Sequence, residues 1–440
     1  MANKNIFCNS PWYEVQIYWD GSLGICCQES RKPYDGRSSE EVAKYNIHDM
    51  TLLQWFDSDP VRKLRLALLS DTPVRACNVC TREEIINLSS RRHRSNQKSV
   101  IFTRTAFADS FTQSPGHTHF KFSEDNQGAS PTTPIDIHID LGNYCNLACK
   151  MCNPKASSKI ATQYQKWNVL NDKNLLGNDW TKNEKTWTRF LNDLLEIPKL
   201  NNIHLMGGET LLTPRFEELV DFLILHKRFE VSLSFVSNGT VIKPQLIKKL
   251  KSFARVGIEI SIETVTEHND YIRQGTNTEE VLANIKTLQA FCSQSSMSVT
   301  IRPAVSALSI GKYHTLLRYC LDNYLIIKSL IVFSPKYLDV KILPNDIRQA
   351  YLTPYQEILD SLIDEDITFE FNESDPNNFK KSIKMQAVQI VNLLNAPQSD
   401  NADELLSIFV NWCKKWDQEF KFNAITLYPE LEGIFKQYGY

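Results

Sequence analysis

Apolar and polar residues alternate through residues 12–27, WYEVQIYWDGSLGICC, on either side of Asp20-Gly21. That dipeptide suits a tight turn because glycine tolerates positive φ, so the pattern predicts a hairpin. A helix is predicted next, near Leu52 to Leu69, with Trp55, Leu64 and Leu66 among its apolar residues, ending before Asp71-Thr72-Pro73. Residues 88–132 are rich in Ser, Thr, Arg, Asn and Gln, which predicts a linker with solvated arginines; arginine contact with a substrate is the lesser alternative. From Pro134 strands alternate with helices. The predicted strands are Ile135–Leu141, Ile203–Met206, Val231–Val236, Val256–Ile262, Ser298–Pro303 and Ser329–Phe333. One intervening helix opens at Thr213-Pro214, a cap followed by proline in the first turn, and another runs from about Thr278 to Phe291. Repeated β–α units imply an α/β fold with a parallel sheet, open or curved into a barrel, and chemistry at the carboxyl ends of the strands. Beyond about Asn345 the pattern is helical.

Composition narrows the function classes. The chain has 440 residues, 42% hydrophobic and 23% charged, so it can fill the cores of two or three domains as an ordinary globular protein. A net charge of −2 gives no reason to expect nucleic acid or an anionic membrane as partner. No apolar run reaches bilayer-spanning length, and MANKNIFCNSPW lacks the apolar core of a signal peptide. The expectation is a cytoplasmic protein. In that compartment 11 cysteines do not suggest a disulfide framework. Their clustering suggests metal ligation: Cys8, Cys26, Cys27, Cys77 and Cys80 lie in the first 80 residues, and Cys145, Cys149 and Cys152 lie within eight.

The triplet directly follows the first strand of the β–α series. Three thiolates leave one position of a cluster open to an outside ligand, whereas zinc would need a fourth ligand such as His138 or His204. The segment DIHIDLGNYCNLACKMCNP resembles the cluster loop of the radical S-adenosylmethionine (SAM) superfamily, CxxxCxxC, with Met151 where an aromatic residue is usual. Downstream motifs extend the resemblance over roughly residues 134–335. Met206-Gly207-Gly208-Glu209 is similar to the family's GGE, and Ser237-Asn238-Gly239-Thr240 to its TNGT. Ser261-Ile262-Glu263, followed by His268 and Arg273, resembles a SID…H…R stretch, with Glu-Thr in place of Asp-Gly.

The resemblance implies a partial (β/α)6 TIM-like barrel. It implies a [4Fe–4S] cluster on Cys145, Cys149 and Cys152, and SAM bound at the open iron. Met151, Gly207, Gly208, Glu209, Asn238, Ser261, Glu263, Arg273 and Arg302 are its implied SAM contacts; a structural role for Arg302 is equally compatible with the sequence. The implied reaction is reductive cleavage of SAM to a 5′-deoxyadenosyl radical that abstracts hydrogen from a substrate. A flavodoxin- or ferredoxin-type donor would supply the electron.

The sequence CNSPWYEVQIYWDGSLGICC…ACNVC resembles the Twitch domain, a shortened SPASM domain. That likeness implies a second, auxiliary [4Fe–4S] cluster on Cys8, Cys26, Cys77 and Cys80. Structural zinc is the alternative, and Cys27 competes with Cys26. Such domains usually follow the barrel; here it precedes. The expected organisation is a Twitch-like domain at 1–87, a polar linker at 88–133, the barrel at 134–345 and a helical region at 346–440. Twitch and SPASM relatives mostly modify peptides or proteins, which makes a peptide the expected substrate and a carbohydrate or nucleotide-linked small molecule the alternative. An Fe–S or zinc protein without catalysis is the non-enzymatic reading.

Overall fold

The computed structural model describes residues 6–29, 45–85, 90–96, 115–169, 179–293, 295–363 and 375–440. The parts of the expected linker at 88–89 and 97–114 lie outside them. Strands run in chain order as β1 (Glu14–Ile17), β2 (Leu23–Gly24), β3 (Asp136–Asp140), β4 (Ala148–Cys149), β5 (Asn202–Met206), β6 (Ser232–Ser237), β7 (Val256–Ile260), β8 (Arg273–Gln274), β9 (Met297–Ile301), β10 (Ala304–Val305), β11 (Ile326–Ile327) and β12 (Leu330–Ile331). Helices separate β3, β5, β6, β7, β9 and β11, so the fold is α/β, as expected. The chain divides into two compact units. One takes in Met1–Tyr144, Pro154–Phe235 and Lys248–Val256; the other takes in Cys145–Asn153, Val236–Ile247 and Gly257–Tyr440.

In the first unit the predicted hairpin forms: β1 and β2 pair antiparallel across the Asp20-Gly21 turn, where Gly21 has φ +80°. β1 then pairs in parallel with β3, β3 with β5, and β5 with β6. Register puts Val15, Ile137, Ile203 and Leu233 in one row and Ile17, Ile139, Leu205 and Phe235 in another, all buried. Each such side chain contributes roughly 1.5–3 kcal/mol through burial. The residues between them form polar rows, Glu14–Asp136–Asn202–Ser232 and Gln16–His138–His204–Ser234. Strand alternation makes these two sets opposite faces of one sheet.

The predicted helix near Leu52 to Leu69 is two helices, Leu52–Phe56 and Asp59–Leu69. Thr51 and Gln54 form a capping box on the first, and Ser58 with Pro60 opens the second, so the break between them follows from local sequence. Within the segment expected to be a linker, residues 91–96 and Pro115–Asp125 are helical, and Arg91 and Arg92 are buried rather than solvated. Arg65, fully buried, donates to the carbonyls of Pro11 at 2.9 Å, Gly128 at 3.0 Å and Phe56 at 2.7 Å. One guanidinium thereby satisfies three backbone acceptors in three segments.

In the second unit β9 lies between β7 and β11 and is parallel to β11. The expected sixth strand, Ser329–Phe333, is displaced. Ile326–Ile327 occupies that place, and Leu330–Ile331 pairs instead with Ala304–Val305 in a small separate sheet. The run IIKSLIVF is apolar at both ends, so periodicity does not decide which end pairs. The C-terminal region is helical as expected, with Asn378–Asn395 and Ala402–Phe420 as its long helices. Among the described residues no helix is long and apolar enough to cross a membrane.

Arg65→Met should destabilise the chain by roughly 3 kcal/mol or more, because three buried carbonyls lose their donor. Urea unfolding followed by tryptophan fluorescence measures it; an unchanged midpoint would remove Arg65 from this role.

Candidate active site

Cys145, Cys149 and Cys152 come together on one loop of the second unit. Cys145, Leu147 and Cys149 pack as a cluster, with Met151 and Cys152 against it. The loop is held by β4, which pairs antiparallel with β8, and by the Lys150 N–H donating to the Ile272 carbonyl at 2.8 Å. Burial pushes the Cys149 thiol up strongly, and burial with the neighbouring Cys145 pushes Cys152 up to about 12. Thiols crowded together in a dry site favour the neutral form until a cation arrives, which is the donor chemistry of a metal or cluster site. The residues fit a three-thiolate cluster, and no fourth cysteine lies on the loop.

Arg273 sits beside this loop. Its Nη1 is 3.6 Å from the Cys149 sulfur, while Nε and Nη2 form a two-pronged contact with Glu263, the Nη2–Oε1 distance being 2.7 Å. Glu263 is fully buried and also accepts from the Ala304 N–H at 3.2 Å. Arg273 and Glu263, both expected to contact SAM, thus bind each other here, and either would have to exchange partners to do so. Asn238 donates to Asn146 of the cluster loop at 2.8 Å and accepts from the Thr240 N–H. Ser261 donates its N–H to the Ser237 carbonyl. Arg302 pairs with Glu259 at 2.8 Å, the structural alternative for that residue.

Sequence reasoning missed Lys150. It is fully buried, its Nζ makes no hydrogen bond among the described residues, and it stands 4.0 Å from the ring centroid of Tyr271 and 4.3 Å from that of Trp416, with Trp412 at 5.9 Å. Burial pulls this ammonium down to about 7, against the attraction of Cys413 and Asp417. The only sequence signal was the Trp412–Trp416 spacing, one helical turn apart and far from the cysteines.

The GGE residues lie in the first unit, after β5. Gly207 and Gly208 have φ +89° and +55°. A Cβ on Gly208 would stand 2.0 Å from the Tyr144 carbonyl oxygen, and one on Gly207 2.5 Å from that of Gly142. These glycines are therefore required by close backbone approach as well as by φ. Glu209 is fully buried; its Oε1 accepts the Leu211 N–H at 3.0 Å and its own N–H donates to the Tyr144 carbonyl at 2.8 Å. A cleft of mixed lining, with Leu141, Tyr144 and Leu212 beside Asn143, Lys182 and Arg215, adjoins the carboxyl ends of β3 and β5.

The N-terminal cysteines converge as well. Cys8, Cys26, Cys77 and Cys80 line one pocket, together with Arg91, Arg92, Gln28 and Glu29. Cys27 is not among the lining residues; it follows Cys26 in the turn beyond β2, where strand alternation does not apply. Burial pushes Cys77 up to about 12 and Cys80 to about 11, and raises Cys8 and Cys26.

Residues 139–303 match the model of the Radical SAM superfamily, and residues 8–81 match that of the SPASM iron–sulfur cluster-binding domain. The chain carries a radical SAM domain. The ranges enclose the three-cysteine loop and the N-terminal cysteines respectively, so a SAM-binding [4Fe–4S] cluster, SAM and an auxiliary iron–sulfur cluster are the cofactors these domains imply. Among curated relatives, mycofactocin maturase MftC of Mycobacterium tuberculosis is 26% identical over 180 residues, 41% of this chain and 40% of that protein. Radical SAM cyclopropyl synthase TigE of Paramaledivibacter caminithermalis is 28% identical over 161 residues, 35% of this chain and 32% of that one. The chain therefore matches less than half the length of either. Native anSMEcpe with bound AdoMet is similar in structure at 16% identity and TM-score 0.38, over 52% of this chain and 62% of that one.

Gly208→Ala should displace the Tyr144 backbone and, in the reconstituted radical SAM domain, weaken SAM binding roughly tenfold or more, about 1.4 kcal/mol. Equilibrium dialysis with labelled SAM checks this, and unaltered affinity would separate the GGE turn from the cofactor.

Proposed function

We propose that the chain is a radical SAM enzyme that modifies a peptide or protein substrate. The observation that carries this is the convergence of Cys145, Cys149 and Cys152, without a fourth thiolate on their loop, inside a radical SAM domain. When bound, the cluster supplies one electron that splits SAM into methionine and a 5′-deoxyadenosyl radical, which takes a hydrogen atom from the substrate. The protein's part is to hold, orient and dry the reactants. Cys145, Cys149 and Cys152 would hold the cluster, and with no fourth thiolate on the loop one iron would be left for SAM. The loop that would carry the cluster is fixed by the pairing of β4 with β8 and by Arg273 beside the Cys149 sulfur. Gly207 and Gly208 let the backbone come close, and Glu209 offers a carboxylate to the SAM amino group.

The N-terminal pocket supports an auxiliary cluster on Cys8, Cys26, Cys77 and Cys80. Four thiolates saturate that cluster, which suits it to electron transfer or to fold support rather than SAM cleavage. The combination with a SPASM-type domain, and relatives named as a maturase and a synthase, support the peptide reading. The cleft at the ends of β3 and β5 is the proposed approach for that substrate. A flavodoxin- or ferredoxin-type protein is the proposed donor.

Anaerobic reconstitution should give about eight irons per chain, from two four-iron clusters. Replacing Cys145, Cys149 and Cys152 together with Ala should remove about half of that iron and abolish 5′-deoxyadenosine formation in dithionite, scored by chromatography. Full iron in the triple variant would overturn the assignment. Glu209→Gln keeps an oxygen for the Leu211 N–H and removes only the charge. It should weaken SAM binding by roughly 1–3 kcal/mol, and unchanged affinity would take Glu209 out of the site.

A further inference from the structure

Glu14, Asp136 and His138 form a buried group whose ligand atoms all lie within 4.8 Å of one another. Arg91 already supplies a cation to this group: its Nη2 is 2.7 Å from Glu14 Oε1 and 3.3 Å from His138 Nε2. The same Arg91 lines the pocket of Cys8, Cys26, Cys77 and Cys80, and Arg92 lines it too. Arg92 is 4% exposed and is tied to Glu84 and Thr81, each at 3.3 Å. Two neighbouring residues from the segment expected to be a solvated linker thus bring two buried guanidiniums to the cysteine pocket.

The rest of that wall is largely apolar, with Pro11, Ile25, Leu64, Leu68 and Ala76. A four-iron cluster on four thiolates has a formal charge of about −2, and about −3 after one-electron reduction. Burying that charge in such a wall is costly without a nearby cation. Glu29 is the carboxylate on the lining and opposes it; its Oε2 is held by the Ile25 N–H at 2.7 Å. A guanidinium cannot escape by losing its proton, so both arginines stay charged.

We infer that Arg91 and Arg92 are the charge partners of the auxiliary cluster and set its reduction potential. Arg91 also ties the pocket to β1 and β3 through Glu14 and His138. Both are positioning residues, acting through the field on the cluster. A fixed cation favours the more negative, reduced form, so removing one shifts the potential downward. The inference rests on the reading of Cys8, Cys26, Cys77 and Cys80 as a [4Fe–4S] site.

The test is an EPR-monitored redox titration of the full reconstituted chain, comparing wild type with Arg92→Gln, Arg92→Lys and Arg91→Gln. The auxiliary signal is identified by its loss in a Cys77→Ala, Cys80→Ala variant. Both Gln variants should shift its midpoint to more negative potential while the other cluster's midpoint stays put, and Arg92→Lys should restore most of the shift. Loss of the auxiliary signal in Arg92→Gln with retention in Arg92→Lys also supports the inference, since charge is then needed for assembly. Unshifted midpoints in both Gln variants, or loss of the signal from both Arg92 variants, would overturn it. Zinc with a single four-iron cluster in the wild type would overturn the auxiliary-cluster reading itself, an outcome visible before any arginine is changed.

Discussion

Arg273 must satisfy a buried carboxylate and a buried sulfur at once, and the cluster loop depends on that double duty. Its two-pronged contact with Glu263 fixes the guanidinium plane, which sets the third nitrogen 3.6 Å from the Cys149 sulfur. A planar fork can do this where a lysine could not, because its donors diverge at fixed angles. The adjoining backbone is zipped to the same place, since Cys149 is the register partner of Arg273 in β4 and β8. Remove the guanidinium and Glu263 becomes an unpaired buried charge, which costs more than an absent surface pair. The loop geometry and the charge balance of the second unit therefore share one side chain.

The two cysteine sites solve the same problem with different means. Each gathers thiols where water is scarce and sets guanidinium groups beside them. At the loop of Cys145, Cys149 and Cys152 one arginine contacts a sulfur directly; at the N-terminal pocket two arginines share the lining with Glu29. Lys150 shows that cations near the loop are not all aimed at sulfur. Its side chain leaves the loop for Tyr271 and for Trp416 on the helix Ala402–Phe420. Ring faces attract the ammonium only partly enough to offset lost hydration, which is why burial dominates its proton affinity. The C-terminal helix is thereby coupled to the residue that follows Cys149.

The cysteine spacing, the glycine pair and the strand–helix alternation were legible in the sequence because each is a local pattern with a local cause. Gly208 illustrates it: glycine is demanded there by φ and by a carbonyl 2.0 Å from where a Cβ would stand. What escaped depends on partners distant in the chain. Arg91 and Arg92 sit in SSRRHRSNQKS, whose composition is that of a solvated segment, yet both are buried; Arg91 reaches Glu14 and His138, 77 and 47 residues away, while Arg92 reaches Glu84 and Thr81, 8 and 11 residues away. The displaced sixth strand escaped for another reason. IIKSLIVF offers two equivalent apolar ends, and only the neighbouring Ala304–Val305 decides which pairs where. The expected roles of Glu263 and Arg273 followed motif position alone, which does not reveal that the two side chains bind each other.

The position of the N-terminal cysteine domain before the strand series also has a physical account. Parallel strands cannot be joined by a tight turn; they need a crossover long enough to return the chain to its starting end. β1 pairs in parallel with β3 over four residues, Glu14 to Ile17 against Asp136 to Ile139. The intervening chain, which contains the helices Asp59–Leu69, Asn78–Ile85 and Pro115–Asp125, is that crossover. It carries Cys26, Cys77, Cys80, Arg91 and Arg92, and Cys8 precedes β1. The crossover and the segment that precedes β1 thus carry all four cysteines of the pocket. A domain placed ahead of the first β–α strand can in this way be built into the sheet edge rather than tethered to it.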